Sequence, residues 1–312
     1  MLHRYRVGDG RPRRLRPQGR FMSIRPRRSC LYMPGANPKA LEKAKTLPAD
    51  VLLLDLEDSV APEAKQSARA QVASAVLAGG YGRREIIVRV NGLTTPWGRD
   101  DLAAIAPSNP DGVLVPKVSS GDEIIEIDDA MTQAGYPAAA ALWVMIETPR
   151  AILNIAEIAA AARATRLSCF VMGTNDLAKE TRARIAPGRA AFHAALGLTL
   201  TAARAEGIVA IDGVFNDIPN MEGFEAECRQ GLEFGFDGKT LIHPTQIDLC
   251  NAVFAPTTDE IARARAVIDA FALPENAGKG VIKVDGKMTE LLHLEEATRV
   301  VAVAEAIAAN AD

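Results

Sequence analysis

Residues 142–146 read Leu-Trp-Val-Met-Ile and run directly into Glu147-Thr148-Pro149. A second apolar run, Cys-Phe-Val-Met at residues 169–172, leads in the same way into Gly173-Thr174-Asn175-Asp176. Each run has the length and composition of a buried β-strand, and each gives way to a turn that carries an acid. On adjacent parallel strands, Glu147 and Asp176 would stand side by side, and two oxygen ligands in that position suit a hard divalent cation such as magnesium.

The same pattern extends over most of the chain. From Ser29 onward, short apolar runs alternate with Ala-rich amphipathic segments, which indicates successive βα units. Eight runs are predicted to be strands: residues 29–33, 51–56, 85–90, 112–118, 142–147, 168–172, 208–213 and 238–243. Most are continuously apolar, as strands buried on both faces should be. The prediction is an α/β fold, a (β/α)8 TIM barrel over residues 29–255.

Two of the intervening helices have clear boundary signals. A helix is predicted over residues 37–47, where Asn37 can cap and Pro38 can occupy the first turn. Another is predicted over residues 62–78, ended by Gly79-Gly80.

Composition excludes several classes of protein. The 312 residues are 48% hydrophobic, which is ample for a sizeable core. The four cysteines, Cys30, Cys169, Cys228 and Cys250, show no CxxC spacing, so neither a disulfide framework nor a zinc site is expected, and a reducing cytoplasm fits best. No apolar stretch approaches the roughly 20 residues of a membrane span, and no secretory signal is apparent. A membrane function is not expected.

Residues 1–28 differ from the rest of the chain because they hold ten arginines, no lysine and one acid, Asp9. We expect a disordered N-terminal arm, or a true start at Met22. A nucleic-acid contact and an organellar presequence are the alternatives. The arm has few serines and three prolines that interrupt any amphipathic helix, so nucleic acid is not the expected partner.

Polar residues at the carboxyl ends of the predicted strands are the candidates for chemistry, since active sites of such barrels lie there. They are Asp55, Glu57, Asp58, Arg89, Lys117, Glu147, Asp176, Asp212 and His243. For the acids, the alternatives to metal ligation are a helix cap or an ion pair. Pro149 weakens the capping alternative for Glu147, and Gly173 is expected to let the Asp176 loop bend inward.

Arg89 lies in an otherwise apolar strand, so its guanidinium must meet an anion. That anion is either a substrate carboxylate, held bidentately, or Asp55 or Glu57 in an ion pair, and both can hold at once. Lys117 raises the alternative of a Schiff-base aldolase without a metal, although the carboxylate pair favours a cation. Lys39 and Lys43 share one face of the helix predicted over residues 37–47, and they are expected either to be solvated or to bind phosphate.

Seven motifs then occur in order with barrel spacing. They are Leu31–Gly35, Leu54–Asp58, Val88–Gly92, Pro116–Val118, Glu147–Pro149, Gly238–Gln246 and Gly286–Met288. Together they resemble the citrate lyase beta-subunit-like acyl-CoA lyases of the HpcH/HpaI aldolase family, which include malyl-CoA, β-methylmalyl-CoA and citramalyl-CoA lyases. The resemblance runs from about residue 28 to about residue 308.

The resemblance implies a lyase that uses Mg2+, with Mn2+ able to replace it. Such an enzyme makes or breaks the C–C bond between acetyl- or propionyl-CoA and glyoxylate, pyruvate or oxaloacetate. By motif position, Glu147 and Asp176 would be metal ligands, Arg89 would be the carboxylate clamp, and Asp55, Glu57, Asp58 and Lys117 would support them. Substrate and CoA contacts would come from Tyr32, Lys39, Lys43, Ile242 and His243. His243 alone could otherwise be a core histidine or a cap.

The family places its catalytic carboxylate, usually aspartate, after a Gly-Lys-Met hairpin, and Glu290 stands there in this chain. Asp285-Gly286 predicts the hairpin turn, and residues 256–312 are expected to form a helix-hairpin-helix extension whose first helix spans about 258–271. By resemblance, the extension would complete the active site of a neighbouring subunit in a homotrimer or homohexamer. The alternative is that it packs beneath its own barrel.

The extra methylene of Glu290 displaces the carboxylate by over ~1 Å, enough to alter a rate substantially. Glu290 is therefore either a repositioned base or a sign of different chemistry, with Asp285 as the fallback base. A C–C lyase is the leading hypothesis, and a malyl-CoA-type thioesterase on the same scaffold is the alternative. A catalytically silent partner subunit, or a nucleic-acid-associated protein that uses the Arg-rich arm, represents another class.

Overall fold

The computed structural model describes residues 25–311 and contains a closed barrel of eight parallel strands. The strands are β1 (Ser29–Pro34), β2 (Val51–Asp55), β3 (Glu85–Arg89), β4 (Gly112–Val115), β5 (Ala141–Ile146), β6 (Leu167–Met172), β7 (Val209–Asp212) and β8 (Gly238–Leu241). Each strand pairs with the next, and β8 closes the barrel on β1. The predicted TIM barrel is confirmed. β4 ends before its predicted boundary because Pro116 has no N–H and Lys117 is left-handed, with φ 57°.

Helices cover the outside of the barrel. They are α1 (Pro38–Ala44), α2 (Lys65–Ala78), α3 (Gly98–Ile105), α4 (Gly121–Ala134), α5 (Pro149–Leu153), α6 (Ile155–Ala160), α7 (Thr174–Thr181), α8 (His193–Ala205), α9 (Met221–Phe234) and α10 (Ile247–Val253). As predicted, Asn37 caps α1, and Pro38 lies in its first turn. The predicted helix over residues 62–78 begins with a 3-10 turn at Pro62–Ala64 before α2, and it ends at Gly79.

Side chains of the strands alternate between two apolar layers, as the period of two requires. The inner layer fills the barrel and consists of Cys30, Val51, Leu53, Ile87, Leu114, Trp143, Met145, Cys169, Val171 and Ile211. The outer layer lies between strands and helices. All four cysteines are buried and unpaired. Asp55 and Arg89 are register partners that follow the inward residues Leu53 and Ile87 by two positions, so both point inward near the rim.

Asp212 was expected at the rim, and this expectation is wrong. Ile211 faces the barrel interior, so Asp212, one residue later, faces outward towards α9. Its carboxylate accepts hydrogen bonds from Arg189 Nη1 at 2.7 Å and from Lys239 Nζ at 2.9 Å, and Lys239 also donates to Glu227 at 2.7 Å. Burial alone would raise the pKa of Asp212, but the charges of Lys239 and Arg189 outweigh burial and lower it. Asp212 belongs to a structural ion cluster.

The boundary predicted for the N-terminal arm also needs correction, because residues 25–28 bind the amino-terminal face of the barrel. Arg27 donates to Glu85 at 2.6 and 2.8 Å, and Arg28 donates to Asp50 at 2.8 Å. A Cβ on Gly238 would overlap the Arg27 carbonyl oxygen, so glycine permits this close approach. Residues 1–24, the rest of the predicted arm, lie outside the described residues.

The chain continues past the barrel into α11 (Thr258–Ala272), the hairpin β9 (Val281–Val284) and β10 (Lys287–Glu290), and α12 (Leu291–Ala311). Both turn residues have positive φ, 48° at Asp285 and 80° at Gly286, as a two-residue hairpin turn requires. Ala264, Val267 and Ala297 form a small core separate from the barrel. Over residues 25–311, we find no helix with both the length and the apolar character needed to span a membrane.

Asp212→Asn should destabilise the fold by about 3 kcal/mol, because it leaves buried cations without their central carboxylate. The lost stability should be fully present above about pH 4, the ordinary pKa of aspartate, and should decrease progressively as the pH falls from there through the lowered folded pKa. Urea denaturation across pH measures this. Glu126→Gln, in an exposed pair with Arg99, is the control and should change stability by less than about 0.5 kcal/mol. An unchanged midpoint would contradict the structural role of Asp212.

Candidate active site

Arg89 is the centre of a buried cluster at the carboxyl ends of β1 to β3. Its Nε and Nη2 donate to the two oxygens of Asp55 at 2.6 and 2.7 Å. Its Nη1 lies 2.9 Å from Glu57 and 3.4 Å from Asp58. The ring of Tyr32 lies 4.7 Å from the guanidinium carbon. The ion pair considered for Arg89 is therefore formed, and Nη1 is the nitrogen that lies near Glu57 and Asp58.

Lys117 connects this cluster to the end of β5. Its Nζ donates to Glu57 Oε1 at 2.6 Å, and its backbone N–H donates to Glu147 Oε1 at 2.8 Å. Burial alone would lower the pKa of Lys117, but the hydrogen bond to Glu57 and the charges of Glu57, Glu147 and Asp176 raise it overall. A Schiff-base nucleophile must be unprotonated, so this environment opposes the aldolase alternative.

Glu147 and Asp176 lie together at the ends of β5 and β6. Glu147 is 1% exposed, and it is not the cap of α5, because the Thr148 hydroxyl accepts the bond from Ala151. Asp176 is half-buried in the first turn of α7, at the positive end of the helix dipole. Burial, helped by the charges of Asp176 and Glu57 and opposed by the charge of Lys117, raises the pKa of Glu147 to about 8. Excess negative charge is thus concentrated here.

Gly173 makes room for the Glu147 carboxylate. A Cβ at this position would overlap both Oε2 and Cβ of Glu147. The φ of Gly173 is −106°, which other residues adopt readily, so the loop needs glycine for space and not for the backbone freedom expected from the sequence.

These residues could hold a divalent cation. A buried carboxylate whose charge is disfavoured, beside a second carboxylate, would be stabilised by a cation between them. Among residues 25–311, no group of three or more His, Cys, Asp or Glu side chains is arranged to hold a metal. Mg2+ commonly takes only one or two protein carboxylates and completes its shell with water and substrate oxygens, so the pair fits Mg2+ or Mn2+.

Other predicted site residues are not bonded to this cluster in the described part of the chain. Lys39 and Lys43 are exposed on α1. His243 caps the turn after β8 through its Nδ1, with Gln246 completing the capping box, and Ile242 is exposed beside it. Glu290 is exposed at the end of β10, where its backbone N–H donates to His293. Across residues 25–311, no hydrogen bond or ion pair joins these side chains to Arg89 or Glu147.

The sequence did not reveal three residues of the site. The Met145 sulfur lies 3.8 Å from Arg89 Nη1 and 3.9 Å from the Tyr32 hydroxyl. Lys65 and Asn91 hydrogen-bond to each other and to the backbone after β2. Met145 reads as one more apolar strand residue. The Lys65 and Asn91 contacts depend on carbonyl groups that only the tertiary fold brings near.

Comparison with known proteins identifies the family of the chain. The model of the HpcH/HpaI aldolase/citrate lyase family matches residues 28–244. The chain belongs to this family. The resemblance inferred from the seven motifs is thereby confirmed.

Named relatives cover nearly the whole chain. A (3S)-malyl-CoA thioesterase of Cereibacter sphaeroides is 49% identical over 91% of this chain and 96% of that protein. The citrate lyase subunit beta of Escherichia coli is 36% identical over 90% and 94%, respectively. The structure of CitE from Mycobacterium tuberculosis in complex with magnesium, acetoacetate and coenzyme A matches with a TM-score of 0.70 and 29% identity, over 89% of this chain and 97% of that one.

Gly173→Ala should weaken Mg2+ binding at least tenfold, because the new methyl group displaces the Glu147 carboxylate. Titration calorimetry with Mg2+ measures the change. Gly197→Ala, within α8, is the control: a Cβ there meets no atom within 4 Å, and the variant should bind Mg2+ as the wild type does. Equal Mg2+ affinity in both variants would show that Glu147 does not contact the ion.

Proposed function

We propose that this chain is a Mg2+-dependent hydrolase of malyl-CoA-type thioesters. The observation that carries the proposal is its 49% identity, over nearly all of both chains, to a (3S)-malyl-CoA thioesterase, against 36% to a citrate lyase subunit. The rim chemistry supports it, since a substrate with a free carboxylate needs a cationic clamp beside a place for the metal. Cytoplasmic location is proposed from the four unpaired, buried cysteines.

Arg89 is the proposed clamp for the substrate carboxylate, and it acts through Nη1. Lys117 donates to Glu57 Oε1, whereas Arg89 Nη1 lies beside Glu57 Oε2. A substrate carboxylate can therefore replace Glu57 at Nη1, and Glu57 keeps Lys117 as its cationic partner. Tyr32 stacks under the guanidinium and keeps it in the plane of the clamp. Lys39, Lys43, Ile242 and His243 are proposed contacts of the CoA portion.

Glu147 and Asp176 are the proposed ligands of Mg2+ or Mn2+, which supplies Lewis-acid polarisation of a substrate oxygen when bound. The backbone N–H of Lys117 fixes one oxygen of Glu147 and leaves the other, beside Gly173, for the ion. The same N–H keeps the carboxylate aimed at the rim.

Glu290 is the proposed general base, supplied by the extension of a neighbouring subunit in a homotrimer or homohexamer. In hydrolysis it would take a proton from the water that attacks the thioester. The longer side chain, compared with aspartate, would bring its carboxylate nearer to such a water molecule.

C–C bond cleavage is the second candidate. It is favoured by the identity to citrate lyase subunit beta, which also spans nearly all of both chains. On the same rim, Glu290 would then take the proton of the substrate hydroxyl as the C–C bond breaks. The products would be the oxo acid and the enolate of the acyl-CoA, which then takes up a proton.

The products distinguish the two reactions. The purified enzyme with Mg2+ is incubated with malyl-, methylmalyl-, citramalyl- and citryl-CoA, while free thiol, hydroxy acid and oxo acid are followed by mass spectrometry. We expect free CoA and malate from malyl-CoA, and no glyoxylate. Glyoxylate with acetyl-CoA would establish the lyase instead. Full turnover in EDTA would contradict the proposed metal requirement. No turnover with any substrate would favour a silent partner subunit.

Glu147→Gln and Glu290→Gln should each reduce turnover by at least a hundredfold. If Glu290 acts across a subunit interface, co-expression of the two variants should restore part of the activity, because a mixed oligomer contains sites with both glutamates. Thiol release measures the recovery. Co-expressed Glu147→Gln and Asp176→Asn form the control and should stay inactive, since both changes affect the same barrel. The absence of recovery in verified mixed oligomers would place Glu290 at its own rim or outside catalysis.

A further inference from the structure

Lys65 is a buried lysine that pairs with no carboxylate in the described part of the chain. Its Nζ donates to the carbonyl oxygens of Leu56 at 2.8 Å and Glu57 at 2.7 Å, and to Oδ1 of Asn91 at 2.9 Å. The residue is 6% exposed. An ammonium group has three N–H donors, so all of them are used.

These bonds join two loops of the rim. Leu56 and Glu57 follow β2, and Asn91 follows β3. Asn91 also donates to the Leu56 carbonyl at 2.9 Å and to Asp101 at 2.6 Å, so its own position is fixed from the other side. The ring of Trp97 lies 5.2 Å from Nζ and covers the ammonium.

Burial of an ammonium group without a direct counter-ion is unfavourable, and an apolar side chain would fill the same volume with less desolvation. An apolar side chain would, however, leave three acceptors with fewer partners. One ammonium holds carbonyl groups of consecutive residues and a side chain of the next loop around a single atom. Compared with an apolar side chain, Lys65 therefore fixes the backbone at Leu56–Glu57.

The position of this backbone matters because its side chains hold Arg89. Asp55 accepts bonds from both Arg89 and the Glu57 backbone N–H, and Glu57 lies between Arg89 and Lys117. The Glu57 Oε2 is buried without a hydrogen bond of good geometry, so its place beside Nη1 depends on the backbone behind it. A shift of the Glu57 peptide would change how much of Nη1 is open to a substrate.

We propose that Lys65 is a positioning residue for the carboxylate clamp: it fixes the Glu57 peptide and thereby sets the affinity of Arg89 for the substrate carboxylate. The inference rests on the proposed function of Arg89. The proposed metal ligands Glu147 and Asp176 follow β5 and β6, and Lys65 donates no hydrogen bond to either. Mg2+ binding therefore reports whether a Lys65 variant affects the clamp alone or the whole site.

The test uses Lys65→Met with oxalate, a stable dianion with the chelating oxygens of a 2-oxo acid, in calorimetric titrations of the Mg2+-loaded protein. Oxalate affinity should fall at least about tenfold, since displacement of a clamp on the 1 Å scale has effects of that size. Affinity for Mg2+ alone should stay within about twofold. Amide exchange at residues 57–60 should accelerate.

Lys239→Met is the matched control, because Lys239 on β8 is the second buried lysine among residues 25–311, and its Nζ pairs with Asp212 and Glu227. It should lower the unfolding midpoint without changing oxalate affinity. If Lys65→Met does not fold, Lys65→Gln, which keeps two donors, should show a smaller loss of oxalate affinity in the same direction.

Unchanged oxalate affinity in a folded Lys65 variant would overturn the proposal, and so would an equal loss in Lys239→Met. A wild-type protein that binds Mg2+ but no oxalate would instead contradict the clamp role of Arg89 itself. The failure of the inference and the failure of the proposed function are therefore separate results.

Discussion

The ion pairs of the buried Arg89 guanidinium are the interactions on which the rest of the rim depends. A charge in that position requires anions, and Asp55 and Glu57 supply them. Glu57 in turn requires Lys117, and the backbone of Lys117 holds Glu147. The sequence of contacts thus runs from β2 to β5 with cation and anion alternating. It ends at Glu147 and Asp176, where no further basic side chain is hydrogen-bonded within residues 25–311.

Two charge clusters within residues 25–311 differ in the balance of their formal charges. The outer cluster has two acids, Asp212 and Glu227, and two bases, Arg189 and Lys239, so its formal charges cancel. The rim cluster has five acids and two bases; the acids are Asp55, Glu57, Asp58, Glu147 and Asp176, and the bases are Arg89 and Lys117. A balanced cluster is complete by itself. An unbalanced one is stabilised either by a proton on Glu147 or by a cation from solution, and the second is the physical argument for the proposed metal.

The barrel could be predicted from the sequence because eight apolar runs with the spacing of βα units leave few other folds. The direction of Asp212 could not, because a short strand with both faces buried has no polar alternation to reveal which residues point inward. The ordered contacts of residues 25–28 could not be predicted from their arginine content, because their partners Asp50, Glu85 and Asp111 lie far along the chain. Lys65 could not be recognised either, since two of its acceptors are backbone carbonyls.

On the proposed function, the rim would bind the substrate but would not determine which of its bonds breaks. The carboxylate clamp and the acid pair would recognise a malyl-type thioester whether its C–C bond or its thioester is to break, so the choice falls to the group that moves the proton. On the proposal made for Glu290, that group comes from the hairpin of another subunit. Its neighbours Met288, Leu291 and Leu292 are 75%, 50% and 57% exposed, an apolar surface suited to be covered by a second chain. A scaffold that separates binding from proton transfer can change its reaction through one side chain while the barrel stays the same.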